Sequence, residues 1–291
     1  MAHVKTPGEK AEMAKLLTDE QLARSKSDGC VFPVRIMDTE TAAKVRSTYE
    51  AVEARKGKDV PDVLSVKPHV LFKWLYELGT TPTLLDAMED LLGPDLLLTT
   101  CAIWPKDAQD PSFVTWHQDS AYFGYDPMEV WGAWISITDS HADNGCLKYL
   151  PGSHNDPEMI HEETHDPENM LSRGQSISSD QFENSRAIDV ELEPGECTLH
   201  HFRLAHSSEP NTSDRRRVGI LFVFCRPDVK PTNALNSAIL VRGEDKYGYW
   251  KSDPLPERDL APANLDYYNN FWQRYVDPEN ISEAERVTAD E

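Results

Sequence analysis

The run "RVGILFVF", Arg217 to Phe224, decides how this chain folds. Read as a strand, it sets Arg217, Gly219, Leu221 and Val223 on one face and Val218, Ile220, Phe222 and Phe224 on the other. Both faces are apolar, so the strand is expected inside a double layer rather than on a half-wet sheet. An arginine entering such a strand is unusual unless its charge meets a partner. Arg215 and Arg216, just before it, read as surface residues of the preceding turn.

Outward from this run the pattern repeats. "DLLLTTCAIW", "VWGAWISITD", "CLKYLPGS" and "AIDVELEPGECTLHHF" are short β-branched or aromatic runs divided by Gly, Pro, Asn and Asp. The preceding ninety or so residues read as helices instead. Thr18 with Gln21 makes a capping box that Asp28-Gly29 closes. After an extended "CVFPVRIM", a second helix is expected from Asp38 or Thr39 through "AAKVRSTYEAVEAR". A third has Thr81 as cap, Pro82 at its first position, Leu84, Leu85, Met88, Leu91 and Leu92 on its apolar stripe, and Gly93 as terminator. Helices followed by a row of strands predict a mainly β, α+β protein. We divide it as a single domain: a helical flank over 1–95, a β core over 96–228 with a long lid-like loop at 156–187, and an extension over 229–291. That extension carries one expected helix, "NLDYYNNFWQRYV", whose aromatic face docks on the body.

Bulk properties narrow the function. A formal charge of −21 disfavours nucleic acid and anionic membranes, whose phosphates call for Lys and Arg. Five scattered cysteines without a C-x-x-C pair fit buried thiols in a reducing compartment. With no leader-like apolar region and no membrane-length apolar segment, a cytoplasmic protein is expected.

The chemistry concentrates in "TWHQDSAYF", Thr115 to Phe123. Residues i and i+2 of a strand share a face, so His117 and Asp119 can converge on one ion while Gln118 points away. By itself the pair is equally a strand end followed by a turn. "HEETH", His161 to His165, is a rival metal motif of zinc-peptidase type, but Asp156-Pro157 and Asp166-Pro167 bound it too closely for the long helix that motif needs. "GECTLHHFRLAHSSEPN" offers a distal ligand, and His206 at the apparent strand end is the best of its three histidines. His200 and His201 read as ordinary strand packing. Two histidines and a carboxylate leave three adjacent positions open on a non-haem Fe(II), two for a 2-oxo acid and one for O2. The far carboxylate of 2-oxoglutarate would then call for an arginine fork, which Arg217 can supply.

The blocks "WHQDSAYF", "NGCLKYLPGSH", "PGECTLHHFRLAHSSEPN" and "RRRVGILF", in this order, resemble the phytanoyl-CoA dioxygenase family of Fe(II)/2-oxoglutarate-dependent oxygenases. The resemblance runs from "LARSKSDGCVFP" to about "VRGEDKYGYW". It implies a double-stranded β-helix, the jelly-roll barrel of cupin type, with flanking helices. By position it makes His117, Asp119 and His206 the iron ligands and Arg217 the anchor of the 2-oxoglutarate C5 carboxylate, with Ser208 as its hydroxyl partner. Trp134 in "GAW" would line the co-substrate site, or simply pack in the core. "NGCLKYLPGSH" would be structural. Halogenating relatives replace the aspartate of H-x-D by a small residue, so Asp119 favours oxygen insertion. The implied reaction releases succinate and CO2 while oxidising a C–H bond, most commonly to an alcohol. Desaturation, epimerisation and ring formation would use the same ligands, and a metal-holding cupin without turnover is the alternative of another class.

The substrate is not written in these motifs. Lys67 and His69, Gln118, Tyr122 and Phe123, the 156–187 loop, and Arg242, Lys246 and Tyr247 are candidate contacts. No groove for a CoA ester is legible, so a free small molecule is expected: a polar metabolite, an amino-phosphonate-like compound or a natural-product intermediate.

Overall fold

The apolar runs pair into two antiparallel sheets. In this computed structural model, which describes residues 14–61, 64, 66–164, 166–171, 175–232 and 236–276, the larger sheet has seven strands. Their spatial order is Cys30–Arg35, Glu196–His201, Val130–Ser136, Arg217–Cys225, Leu96–Lys106, Ser237–Arg242 and Lys251–Ser252. All neighbours are antiparallel except the last pair. A four-stranded sheet runs Val114–His117, His206–Ser208, Leu147–Tyr149 and Ile188–Val190. Side chains from both sheets line one cavity, so the sheets face each other as the walls of a jelly-roll barrel of the double-stranded β-helix type.

Arg217–Cys225 lies centrally in the large sheet and separates core from cavity. Val218, Ile220, Phe222 and Phe224 enter the main apolar core, together with Leu75, Leu84 and Met88 of the helical layer. Arg217 and Leu221 turn inward to the cavity between the sheets. Full burial of each such apolar side chain contributes roughly 1.5–3 kcal/mol, so this alternation fixes the register.

The helices form where their signals stand. Thr18 closes the capping box on Asp19–Asp28, and Gly29, at φ 76°, ends that helix by donating to Ser25 O at 3.2 Å. Asp38 accepts from Thr41 N at 2.7 Å to start Thr39–Glu53. Pro82–Leu92 runs to Gly93, but Thr81 caps it without a side-chain bond, its hydroxyl donating instead to Leu78 O at 3.2 Å. A short helix, Lys73–Gly79, has no counterpart in the sequence reading. The C-terminal helix begins two residues before the expected Asn264, at Pro262, and buries Tyr268 and Phe271 against the body. All five cysteines are free and buried. Among the described residues no helix is long and apolar enough to cross a membrane.

Candidate functional site

His117 and His206 are directly paired across two neighbouring strands, which brings their rings to 4.1 Å between centroids. Gln118 is extended, so Asp119, at the start of a 3-10 turn, returns to the same side as His117. Asp119 Oδ1 lies 3.5 Å from His117 Nε2, and Oδ2 lies 3.9 Å from His206 Nε2. One ligand atom from each of the three falls within 4.8 Å of the others.

The imidazoles are locked for ligation. His117 Nδ1 bonds Thr115 O at 2.8 Å and His206 Nδ1 bonds Leu204 O at 2.9 Å. A carbonyl only accepts, so both rings carry hydrogen on Nδ1 and turn Nε2 toward Asp119. Burial, with His117 alongside, pushes His206 down to about 3. Burial alone would raise Asp119, but His206, His117 and His200 around it hold the carboxyl well below its usual range. Asp119 Oδ2 is nonetheless buried without a hydrogen-bond partner among the described residues. Two imidazoles with Nε2 turned inward and a carboxylate with an orphaned oxygen fit a divalent metal with open faces, of which Fe(II) in a facial triad is the type.

Arg217 stands in the same cavity, 2 % exposed. Its Nη2 donates to Gly145 O at 2.8 Å and Ser208 Oγ at 3.1 Å, its Nη1 to Trp104 O at 3.0 Å, and the guanidinium lies 5.4 Å from the Trp134 ring centroid. Among the described residues no carboxylate pairs with it. Burial lowers it to about 10, so it stays charged at neutral pH. A buried cation met only by neutral acceptors is costly until an anion arrives. Gly145, at φ 75° in the "NGCLKYLPGSH" block, supplies the carbonyl that holds both Arg217 and the Ser208 hydroxyl, so that block is more than a turn under the barrel. Arg215 is exposed as expected, whereas Arg216 is half-buried in a fork on Glu53.

Two residues escaped the sequence reading. Lys106 ends a large-sheet strand fully buried, its Nζ donating to Ser208 Oγ at 2.8 Å and to the Glu209 carbonyl. His200 is not idle packing: its Nε2 comes 3.6 Å from Asp119 Oδ2, and its ring lines the cavity. A Cβ on Gly132 would stand 2.6 Å from its ring, so a glycine opposite a histidine was the available signal. His201 points out of the cavity toward Trp131 and His154, in line with its expected packing role.

Several candidate substrate contacts lie elsewhere. Lys67 is buried in an ion pair with Asp253 and donates to Ser237 O at 2.7 Å, and His69 is buried beside that pair. Arg242 forks to Asp86 and Glu89 at 2.8 and 2.6 Å, Lys246 meets Glu244 at 2.6 Å, and Tyr247 is exposed. None of these five lines the cavity of the triad or the second cavity that reaches Asp119, and the charges of Lys67, Arg242 and Lys246 are already matched. Gln118 ties down the long loop, its Nε2 donating to Arg203 O at 2.6 Å and its Oε1 accepting from Met159 N at 2.8 Å. Of "HEETH", His161–Glu163 forms a strand rather than a helix, His161 Nε2 accepts from Gln118 N, and His165 lies outside the described residues. Tyr122 and Phe123 line a second cavity that also reaches Asp119.

Comparison with known proteins gives one consistent result. The sequence profile of the phytanoyl-CoA dioxygenase family matches residues 14–219. The chain is 32% identical over 108 residues to a phytanoyl-CoA dioxygenase domain-containing protein 1 homolog of Caenorhabditis elegans, covering 36% of this chain and 38% of that one. It thus spans under two-fifths of that relative's length. It is 26% identical over 190 residues to a probable alpha-ketoglutarate-dependent hypophosphite dioxygenase of Stutzerimonas stutzeri, covering 65% and 66%. Among solved structures, the non-heme monooxygenase ThoJ superposes with a TM-score of 0.78 at 30% identity, over 93% of this chain and 100% of that one.

Proposed function

The chain belongs to the phytanoyl-CoA dioxygenase family, and on that premise we propose that it is an Fe(II)/2-oxoglutarate-dependent oxygenase that hydroxylates an unactivated C–H bond of a small molecule. The observation that carries this reading is Arg217: a buried guanidinium without a carboxylate partner among the described residues, in the same cavity as the Nε2 atoms of His117 and His206 and an orphaned Asp119 oxygen. His117, Asp119 and His206 would hold the iron. Arg217, with the Ser208 hydroxyl, would hold the C5 carboxylate of 2-oxoglutarate, and Trp134, Leu147 and Leu221 would wall its carbon chain.

When bound, iron and 2-oxoglutarate supply the oxidising power, with O2 consumed and succinate and CO2 released. The chain's own residues do the rest. Arg217 fixes the far end of the co-substrate by a charge-assisted fork, which sets the distance of its 2-oxo end from the triad. Asp119 keeps its charge, and the two Nδ1–H bonds keep both imidazoles from rotating. Met170 and Leu171, from the long loop, cover the cavity and limit water. The likeness to a monooxygenase at 30% identity supports hydroxylation over epimerisation or desaturation.

The test is anaerobic addition of Fe(II) and then 2-oxoglutarate to metal-free protein, watching for the weak visible charge-transfer band of a chelated 2-oxo acid. The band is expected in the wild type and diminished in both Asp119→Ala and Arg217→Ala. Bound iron without a band at any 2-oxoglutarate concentration would overturn the reading in favour of a metal-holding barrel.

A further inference from the structure

The Arg217–Cys225 and Leu96–Lys106 strands carry two cavities in succession. Gly219 is paired with Trp104, Leu221 with Ala102, and Val223 with Thr100. The cavity with Arg217 and the triad touches Trp104 and Leu221; the second shares both and continues to Ala102, Val223 and Thr100. Two residues of strand advance about 6.6 Å, so the second chamber lies farther along the barrel from Arg217, with Asp119 at the junction. Its remaining walls include Tyr122, Phe123 and Phe202, and its cavity volume is about 120 Å3.

The charge inventory of this chamber is one-sided. Among the described residues no Lys, Arg or His lines it, and its one charged group is Asp119. Lys67, next to the lining residue Val66, turns its ammonium away into the ion pair with Asp253. An anion here would lose hydration and find no Lys, Arg or His among the described lining residues to replace it, and the metal that Asp119 would hold is to be shared with the 2-oxoglutarate dianion. Apolar surface is what the chamber can recognise, and a volume close to that of an apolar cavity that holds benzene suits a ring-sized group.

We infer that this second chamber is the substrate site and that it takes an uncharged molecule bearing an apolar, ring-sized hydrocarbon body. The inference rests on the oxygenase reading for what is oxidised, and of the three kinds of small molecule expected it favours the natural-product intermediate over the polar metabolite and the amino-phosphonate-like compound. The hypophosphite of the Stutzerimonas relative's name would find no matching cation among the described chamber residues.

A matched probe pair tests it without turnover. Protein loaded with Zn(II), which does not turn over, and with 2-oxoglutarate is titrated with 2-naphthol and with 2-naphthalenesulfonate, the same skeleton without and with a negative charge, following probe fluorescence. The naphthol is expected to bind at least about tenfold more tightly than the sulfonate, a difference of roughly 1.4 kcal/mol. Ala102→Phe, which fills the floor, should weaken the naphthol by about the same factor or more. Phe123→Trp, at a half-buried wall position, narrows the chamber with less strain than a change at buried Ala102 and should act in the same direction. Equal or tighter sulfonate binding, no naphthol binding, or naphthol binding indifferent to both variants would overturn the inference. The 2-oxoglutarate band is recorded in parallel: its absence in wild type alongside intact naphthol selectivity would overturn the oxygenase reading while supporting the apolar chamber.

Discussion

His200 Nε2 points at Asp119 Oδ2 from 3.6 Å, and both atoms are buried without a hydrogen-bond partner among the described residues. The other side of the ring is engaged. Thr198 Oγ1 donates to Tyr149 OH at 3.1 Å, which frees that hydroxyl's hydrogen for His200 Nδ1 at 3.0 Å. Nδ1 is then the acceptor, and Nε2 carries the hydrogen that faces the carboxylate. A distance of 3.6 Å is beyond a formed bond, but it leaves the His200 N–H facing the Asp119 oxygen with no other partner among the described residues.

His200→Phe keeps the ring and removes the donor. Outer partners of metal ligands commonly account for about 10–100-fold in metal affinity, and weakening toward that range is expected in Ni(II) or Mn(II) titrations of the variant. His200→Gln, whose amide can donate to Asp119, should recover part of it. Equal affinity in all three proteins would show that His200 merely fills space.

Arg217→Ala should raise KM for 2-oxoglutarate far more than it lowers kcat at saturation. A lost charge-assisted fork of roughly 1.5–3 kcal/mol corresponds to about 10–150-fold. Arg217→Lys keeps the charge but not the fork, and an intermediate KM is expected. Succinate release measured against 2-oxoglutarate concentration separates the two parameters, and an unchanged KM in the alanine variant would remove Arg217 from the co-substrate site.

Lys106 adds a pH dependence. Burial, and then the nearby Arg217 charge, push its ammonium down to about 7. Below that pH the ammonium reinforces Ser208 and the positive end of the cavity; above it the charge is lost. Affinity for the 2-oxoglutarate dianion should therefore fall as pH rises through about 7 in wild type, and Lys106→Met should be weaker at low pH and flat across the interval. Calorimetric titration at several pH values reads the slope, and a slope that survives in the variant would assign it to another group.

How much of this was legible in the sequence follows from the kind of signal each residue carries. Strand alternation placed Val218, Ile220, Phe222 and Phe224 in the core because a two-residue period is a local property. His117, Asp119 and His206 stood out because their spacing and strand-end positions are local too. Lys67 and Arg242 misled because a charge in sequence does not reveal its partner: Asp253 lies 186 residues from Lys67, and Asp86 lies 156 from Arg242. His200 and Lys106 were missed for the same reason, since what each faces is set by cross-strand register. The apolar nature of the second chamber arises only when Thr100, Ala102, Leu221 and Val223 are laid side by side.

Gly219 tests whether that register is strict. An added Cβ would stand 1.8 Å from Trp134 Cζ2, closer than any packing permits, so the indole lies flat over a position that must lack a side chain. Trp134 in turn lies beneath the Arg217 guanidinium. Gly219→Ala should destabilise the fold by about 1–3 kcal/mol through overpacking, read from urea unfolding, and should weaken 2-oxoglutarate binding as the displaced indole disturbs Arg217. Trp134→Leu makes room. If the clash is the cause, the double variant Gly219→Ala/Trp134→Leu should be more stable than the two single losses predict when added, by a coupling of roughly 0.5–3 kcal/mol. Strict additivity would place the cost of Gly219→Ala in the strand backbone and not in the Trp134 contact.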